Sequence, residues 1–261
     1  MFNFSQLNEI QILMFGLILM RMIAFVVSSA IFSSANISVM VKILFSITLT
    51  IIVFQTVATS EALLRLKELE ENLIIMVGRE LLIGISLGFV TRFFFFVIAM
   101  AGEIISISMG LGQAQMFNPM MGNMGNAVEQ FYTIIATLIY LSINGHHYMI
   151  QGLVDSFTYA QVAQVTFQTA SFVEIVYKIQ NYFIFAIKIA APILVAMIII
   201  QVGIALLSRT VPQINVLVTA SALTTLLGIL LVFISLPLLI MQMGGLVDLG
   251  TIDFFKFIKT F

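Results

Sequence analysis

Long apolar runs separated by short polar stretches dominate the chain. A helix that crosses the hydrocarbon core of a membrane needs about 20 predominantly apolar residues. Six runs approach or exceed that length, at residues 10–32, 37–58, 73–102, 127–143, 173–208 and 216–243. The pattern predicts an all-α, membrane-associated protein with about six long hydrophobic helices.

The stretches between the runs predict how the helices connect. Residues 33–36 are so short a break that the first two helices should form an antiparallel hairpin. Residues 59–72 are the only charge-rich stretch of the chain. They predict a short solvated helix or a connector at the level of the lipid headgroups. Asn144-Gly145 predicts a turn, residues 208–215 predict the tip of a second hairpin, and Gly244-Gly245 predict the end of the last helix.

Residues 106–126, here called the methionine-rich loop, interrupt the apolar pattern without any charged residue. Its glycines and Pro119 predict an irregular backbone. It also contains five of the chain's 16 methionines, whose unbranched side chains fill irregular gaps. Irregular backbone at membrane depth is tolerated only where it packs against protein or lines a cavity. The loop is therefore either wedged between helices or a gate.

Composition narrows the function classes. The chain is 61% hydrophobic and 9% charged, which indicates an integral membrane protein, and its formal charge of −1 gives no basic footprint for nucleic acid. It has no cysteine, and no nucleophile–base pattern or phosphate-binding loop, so we expect no enzyme activity, cofactor or catalytic residue. The adjacent His146 and His147 point to different sides of a helix, which favours a polar interfacial turn over a metal site.

Cations inside the apolar runs do not fit a simple helix bundle. On insertion scales, each such charge costs about 2.5–3.5 kcal/mol at a helix centre. The acids available within the runs are few, chiefly Glu80, Glu103 and Glu129. Many of these cations must therefore face a watery lumen, reach an interface by snorkelling, or pair with carboxylates of other subunits. We favour the last, and so expect the chain to belong to an obligate membrane complex. The cations are Arg21, Lys42, Arg79, Arg92 and Lys188.

Four places in the chain, in order, resemble the flagellar export-gate family FliR and its injectisome counterpart SctT. The first is Gly78-Arg79-Glu80-Leu81 leading into the Gly84–Gly88 GxxxG step, which predicts close approach of a neighbouring helix. The second is Ala101-Gly102-Glu103-Ile104-Ile105 leading into Met109-Gly110-Leu111. The others are Asn144-Gly145-His146-His147 followed by Leu153 and Ser156-Phe157, and Arg209-Thr210-Val211-Pro212-Gln213-Ile214-Asn215.

The resemblance implies a helical cone assembled in the bacterial inner membrane, within the export apparatus of the flagellar basal body. Its implied partners are FliP-like and FliQ-like membrane subunits, FlhB-like and FlhA-like export components, unfolded protein substrates and membrane lipid. Residues 1–172 would form a FliP-like unit that includes the methionine-rich loop, and residues 173–261 a FliQ-like hairpin and tail. No cofactor or metal is implied.

The resemblance also assigns roles to residues. The methionine-rich loop would plug the closed channel, through Met109, Gly110, Leu111, Gly112, Met116, Phe117, Pro119, Met120, Met121 and Met124. Contacts with other subunits would involve Arg79, Glu80, Arg92, Glu103 and Arg209.

Two other function classes compete with an export gate. A secondary transporter should show internal repeats and broken helices that converge on charged residues, whereas this chain has no convincing repeat and an uncharged interruption. A structural subunit without a gate remains the second alternative.

Overall fold

The structure, a computed structural model, describes residues 8–34, 37–68, 72–111, 127–163, 169–210 and 216–259. Side chains are described for these residues except 169–178, 210 and 216–219. Most of the methionine-rich loop, residues 112–126, and the hairpin tip at residues 211–215 therefore lie outside the described residues.

Every secondary-structure element in the described part of the chain is a helix, which confirms the all-α prediction. Its eight helices are α1 (Glu9–Ser28), α2 (Val39–Val57), α3 (Ser60–Glu68), α4 (Leu73–Ser108), α5 (Ala127–Ser142), α6 (Gly145–Tyr159), α7 (Thr169–Thr210) and α8 (Val216–Ile258).

Five of these helices are long and apolar enough to cross a membrane, close to the six predicted. They are α1, α2, α4 and the parts of α7 and α8 at Ile179–Arg209 and Ala220–Ile258. The sixth predicted segment is α5, which is apolar but has only 16 residues. That length is shorter than the hydrocarbon core requires.

Two predicted helix ends are wrong. α4 continues beyond Gly102 to Ser108, and α8 continues through Gly244-Gly245 to Ile258. Each helical glycine costs about 1 kcal/mol relative to alanine. Burial of Leu246 and Val247 directly after the glycine pair favours continuation of α8 and offsets that cost.

The described chain divides into two compact units. The first comprises Met1–Phe93, Asn144–Ile175 and Gly250–Phe261, and the second comprises Phe94–Ile143 and Val176–Leu249. The sequence-based division near residue 173, which follows the family resemblance, stays a prediction.

In the first unit, the GxxxG step brings α4 against α1. A Cβ atom added to Gly84 would lie 2.5 Å from the carbonyl oxygen of Arg21 and 2.6 Å from the Cβ of Ala24. One turn later, a Cβ on Gly88 would overlap the hydroxyl of Ser28. The two glycines therefore allow the backbones to approach, as the sequence predicted for a neighbouring helix.

A second close contact in this unit fixes the C-terminal end of α8. The ring of Phe254 lies so close to Gly152 of α6 that an added Cβ would be 2.2 Å from it. Phe254, Phe257 and Ile258 are buried. The tail that the family resemblance places after the hairpin thus ends as a packed helix.

Replacing Gly84 with alanine is expected to lower the melting temperature in mild detergent, because the methyl group would force α1 and α4 apart. Overpacking of this kind typically costs about 1–3 kcal/mol. Gly78→Ala is the matched control in the same helix, since a Cβ there meets no atom within 4 Å. It should leave the melting temperature unchanged or raise it slightly. Equal melting temperatures for the two variants would contradict this account of the α1–α4 contact.

Candidate functional site: the base of the methionine-rich loop and a buried charge cluster

The methionine-rich loop leaves α4 through a defined helix cap in the second unit. Gly110 has a φ of +82°, in the left-handed region that glycine adopts without strain. The Leu111 N–H donates to the Ser106 carbonyl at 3.2 Å, and the Gly110 N–H donates to the Ile107 carbonyl at 3.0 Å. This pair of hydrogen bonds is the Schellman motif, and it sets the direction in which the chain leaves the helix.

Side chains of α7 and α8 hold the same cap. Met109 is fully buried against Gly228, where an added Cβ would lie 2.4 Å from the Met109 Cγ. The Thr225 hydroxyl donates to the Met109 carbonyl at 3.4 Å, and the Gln201 side-chain amide donates to the Ser108 carbonyl at 2.8 Å. These contacts satisfy carbonyls that the helix end leaves without an intrahelical partner.

The far end of the loop returns to the same helix. α5 begins at Ala127, and a Cβ on Gly102 would lie only 2.7 Å from the Glu129 Cα. The glycine of the Ala101-Gly102-Glu103 motif therefore permits close approach of the α4 and α5 backbones. The neighbouring Glu103 is partly buried.

Three of the predicted plug residues, Met109, Gly110 and Leu111, form the base of the loop just described. The others lie outside the described residues, namely Gly112, Met116, Phe117, Pro119, Met120, Met121 and Met124. Their assignment to a plug stays a prediction.

A buried ion pair occupies the first unit. The Arg21 Nε donates to the Glu80 Oε2 at 2.6 Å, and both side chains are 0% exposed. The two terminal nitrogens of Arg21 donate to the Ser156 hydroxyl at 3.1 Å and the Ala160 carbonyl at 2.9 Å. Its guanidinium carbon lies 4.0 Å from the centre of the Phe157 ring, within cation–π range.

The same cluster holds an unusual backbone conformation. Ala163 has a φ of +66°, which is unfavourable for a residue with a Cβ. Its N–H donates to the Glu80 Oε1 at 2.9 Å, and its carbonyl accepts from Arg79 at 2.9 Å. Two neighbouring side chains of α4 thus stabilise the segment that follows α6.

Two further cations bind carbonyls at the end of α1 or in the turn after it. The Lys42 ammonium donates to the carbonyls of Ser33 and Ser34, each at 3.1 Å. Arg92 donates to the Ser28 carbonyl at 2.6 Å and to the Ser33 hydroxyl at 3.0 Å. The position of Arg92 is favourable because the carbonyls at a helix C-terminus, such as that of Ser28, carry partial negative charge.

Four of the five intramembrane cations therefore have a polar partner within their own chain, and pairing with carboxylates of other subunits stays a prediction. They are Arg21, Lys42, Arg79 and Arg92, and each binds an oxygen of its own chain. The sequence argument counted carboxylates and omitted backbone carbonyls. The fifth, Lys188, is exposed, with its ammonium 5.3 Å from the centre of the Phe185 ring.

The residues predicted to contact other subunits have different surroundings. Glu80 is enclosed within its own chain, and Arg79 is partly buried beside it. Arg92 is exposed, and Arg209 is exposed in the last turn of α7. Contacts of these residues with other subunits stay predictions.

Sequence reasoning missed that the first and third family motifs meet. Glu80 of the first motif and Ser156-Phe157 of the third contact Arg21, which none of the motifs includes. The available signal was Arg21 itself, an arginine at the centre of an apolar run.

His146 and His147 lie in the first turn of α6, after Asn144 in the left-handed conformation at φ 58°. This confirms the predicted turn. The two imidazole rings are 4.2 Å apart. Within the described ranges, no cluster of three or more metal-ligating side chains includes them.

Comparison with known proteins agrees with the four motifs. The model of the family "Bacterial export proteins, family 1" matches residues 12–250. The chain belongs to this family. All four places that resemble FliR lie inside the matched range.

Three proteins similar to this chain carry the name flagellar biosynthetic protein FliR. The protein of Bacillus subtilis (strain 168) is 30% identical over 207 residues, which cover 78% of each chain. That of Aquifex aeolicus (strain VF5) is 33% identical over 185 residues, 70% of this chain and 69% of the relative. That of Buchnera aphidicola subsp. Schizaphis graminum (strain Sg) is 28% identical over 248 residues, 92% of each. The resemblance to FliR is thus confirmed.

Replacing Arg21 with methionine should strongly destabilise this member of the export family, because Glu80 would be left buried without its ionic partner. Breaking a buried ion pair in this way costs about 3–5 kcal/mol. The double variant Arg21→Met/Glu80→Met should be more stable than Arg21→Met alone. Thermal melting in mild detergent measures both effects.

Arg65→Met is the control for loss of an arginine from an ion pair, because Arg65 and Glu61 form an exposed pair on α3. Its cost should be no more than about 1 kcal/mol. If Arg21→Met melted at the same temperature as Arg65→Met, the buried cluster would not have the stabilising role assigned to it.

Proposed function

We propose that this protein is a core component of the type III flagellar protein export gate in the bacterial inner membrane. It contributes to the channel for unfolded export substrates, and its methionine-rich loop seals that channel. The observation that carries the proposal is the fixed base of the loop. The sequence that continues from this base is uncharged and rich in methionine and glycine.

An uncharged, methionine-rich seal can exclude ions and still adapt to a polypeptide in the channel. An uncharged, apolar constriction opposes ion passage, because an ion that enters must lose hydration without gaining a polar partner. Methionine side chains adapt to objects of changing shape. The capped base lets the segment beyond it be displaced by a polypeptide and return to the same place.

Exposed apolar surface supports assembly with partner subunits. Only 22% of the most apolar window of α2, 28% of that of α7 and 22% of that of α8 are buried within the chain. Lipid or FliP-like and FliQ-like subunits would cover the remainder. We propose FlhA-like and FlhB-like components as further partners, with the energy for export supplied outside this chain.

Deleting residues 113–121 tests the sealing role. If the loop closes the channel, cells with this variant should leak small ions while the complex still assembles, and export should fall less than sealing. Membrane conductance, co-purification of the partner subunits and secretion of flagellar proteins are the three measurements. Wild-type conductance in a normally assembled complex would favour the alternative, a structural subunit without a gate.

A single substitution at the base of the loop tests the contact between Met109 and Gly228 specifically. Gly228→Leu would displace the Met109 side chain, and we expect a partial leak with little loss of assembly. Gly244→Leu in the same helix is the control, because a Cβ there meets no atom within 4 Å. The same leak from both variants would contradict a specific role for the Met109 contact.

A further inference from the structure

Three glycines near the C-terminal end of α8 have no packing that requires them. Gly244, Gly245 and Gly250 lie inside the helix, and a Cβ added to any of them would meet no atom within 4 Å. Packing within the described chain therefore does not explain these glycines, in contrast to Gly84 and Gly152. Each glycine weakens a helix relative to alanine, so residues 244–250, here called the glycine segment, are a place where α8 bends easily.

The parts of α8 on either side of the glycine segment have different attachments. After the segment, the ring of Phe254 packs on Gly152 of α6. Before the segment, the Thr225 hydroxyl and Gly228 contact Met109 at the base of the methionine-rich loop. A bend in the glycine segment would therefore move the part of the helix that contacts the loop base while the packed C-terminal end stays in place.

The helix that bears the loop base, α4, has no comparable weak point before that base. It contains neither glycine nor proline between Gly88 and Gly102, and it passes from the first unit to the second at Phe93 and Phe94, which are buried. α8 makes its passage between the units at Leu249–Gly250, inside the glycine segment. A displacement of α8 relative to α4 is therefore expected to bend α8 and to leave α4 straight.

A small bend is sufficient to break the contact with Met109. At the helical rise of about 1.5 Å per residue, the stretch from Gly228 to Gly245 is about 25 Å long. A bend of about 10° in the glycine segment would then move Gly228 by about 4 Å, which removes its van der Waals contact with Met109. Few internal contacts oppose the movement, because only 22% of the most apolar window of α8 is buried within the chain.

We propose that the glycine segment is a hinge about which α8 swings away from Met109 when a polypeptide displaces the methionine-rich loop, a role that rests on the proposed sealing function. Leu246 and Val247 are buried, which keeps the segment helical while it bends. The helix cap at Gly110 is formed by hydrogen bonds within the α4 end itself and does not depend on α8. The cap therefore persists, and the contact with Met109 forms again when α8 returns.

The double variant Gly244→Ala/Gly245→Ala tests the hinge in cells that carry the full export complex. Alanine strengthens the helix, so the melting temperature of the purified protein should rise while secretion of flagellar proteins falls at least about fivefold. Resting membrane conductance should equal that of the wild type, because the closed state is unchanged.

Gly16→Ala/Gly203→Ala is the matched control, because a Cβ at either position also meets no atom within 4 Å. Its melting temperature should rise in the same way, and its secretion should stay at the wild-type level. Equal secretion from the two double variants would overturn the proposal.

A shifted glycine pair distinguishes a hinge from a close contact between these glycines and another subunit. Adding Ile240→Gly/Met241→Gly to the alanine pair moves the two glycines by about one turn, to positions whose side chains are exposed within the chain. A hinge needs a flexible backbone in this part of α8 and not glycine at fixed positions, so secretion should recover to at least about half of the wild-type level. Secretion as low as that of the alanine pair would assign the glycines to a subunit contact and overturn the hinge.

Combining the alanine pair with deletion of residues 113–121 tests whether the hinge acts through the loop. The deletion removes the segment that must be displaced, so secretion from the combined variant should match that of the deletion alone. A further fall in secretion would overturn a role of the hinge in loop displacement. Conductance of the deletion alone tests the proposed seal separately: a leak from the deletion with normal secretion from the alanine pair would leave the seal supported and the hinge refuted.

Discussion

The first unit depends on the fully buried ion pair of Arg21 and Glu80. Removing two charges from water costs several kcal/mol per ion, and their attraction offsets this only when the remaining donors and acceptors are also satisfied. Here each of the three guanidinium nitrogens donates a hydrogen bond, the guanidinium lies against Phe157, and both carboxylate oxygens accept. The pair therefore fixes relative positions within the unit, because any displacement would leave a buried polar group without a partner.

Close helix packing makes this pair possible. The atom nearest to a Cβ on Gly84 is the backbone oxygen of Arg21 itself, so the GxxxG step determines how near the arginine lies to α4. Glu80 is one turn before Gly84 on the same helix, and one face of α4 thus supplies both the close contact and the counter-charge. The glycines and the ion pair act together. The glycines let the backbones of α1 and α4 come into contact, and the ion pair sets the register between the two helices.

Sequence reasoning predicted the features that neighbouring residues determine and missed those that depend on residues distant in the chain. The helices, the turn at Asn144 and the close contact at Gly84 follow from local composition, and the structure confirms them. The partners of Lys42 and Arg92 did not follow, because carbonyls at the end of α1 and in the turn after it become ligands only when the chain folds back on them. The predicted helix end at Gly244-Gly245 was wrong because burial of the residues beyond it exceeded a local preference.

The base of the methionine-rich loop uses interactions of another kind. Met109 packs on a glycine, and hydroxyl, amide and backbone donors satisfy the carbonyls of the cap. Separating a buried ion pair would leave uncompensated charge, whereas contacts between methionine and apolar groups can be lost and regained at small cost. If the loop opens and closes as we propose, a charge pair like that of Arg21 and Glu80 would oppose each displacement. A seal made of uncharged, deformable side chains beyond a hydrogen-bonded base can move repeatedly without that penalty.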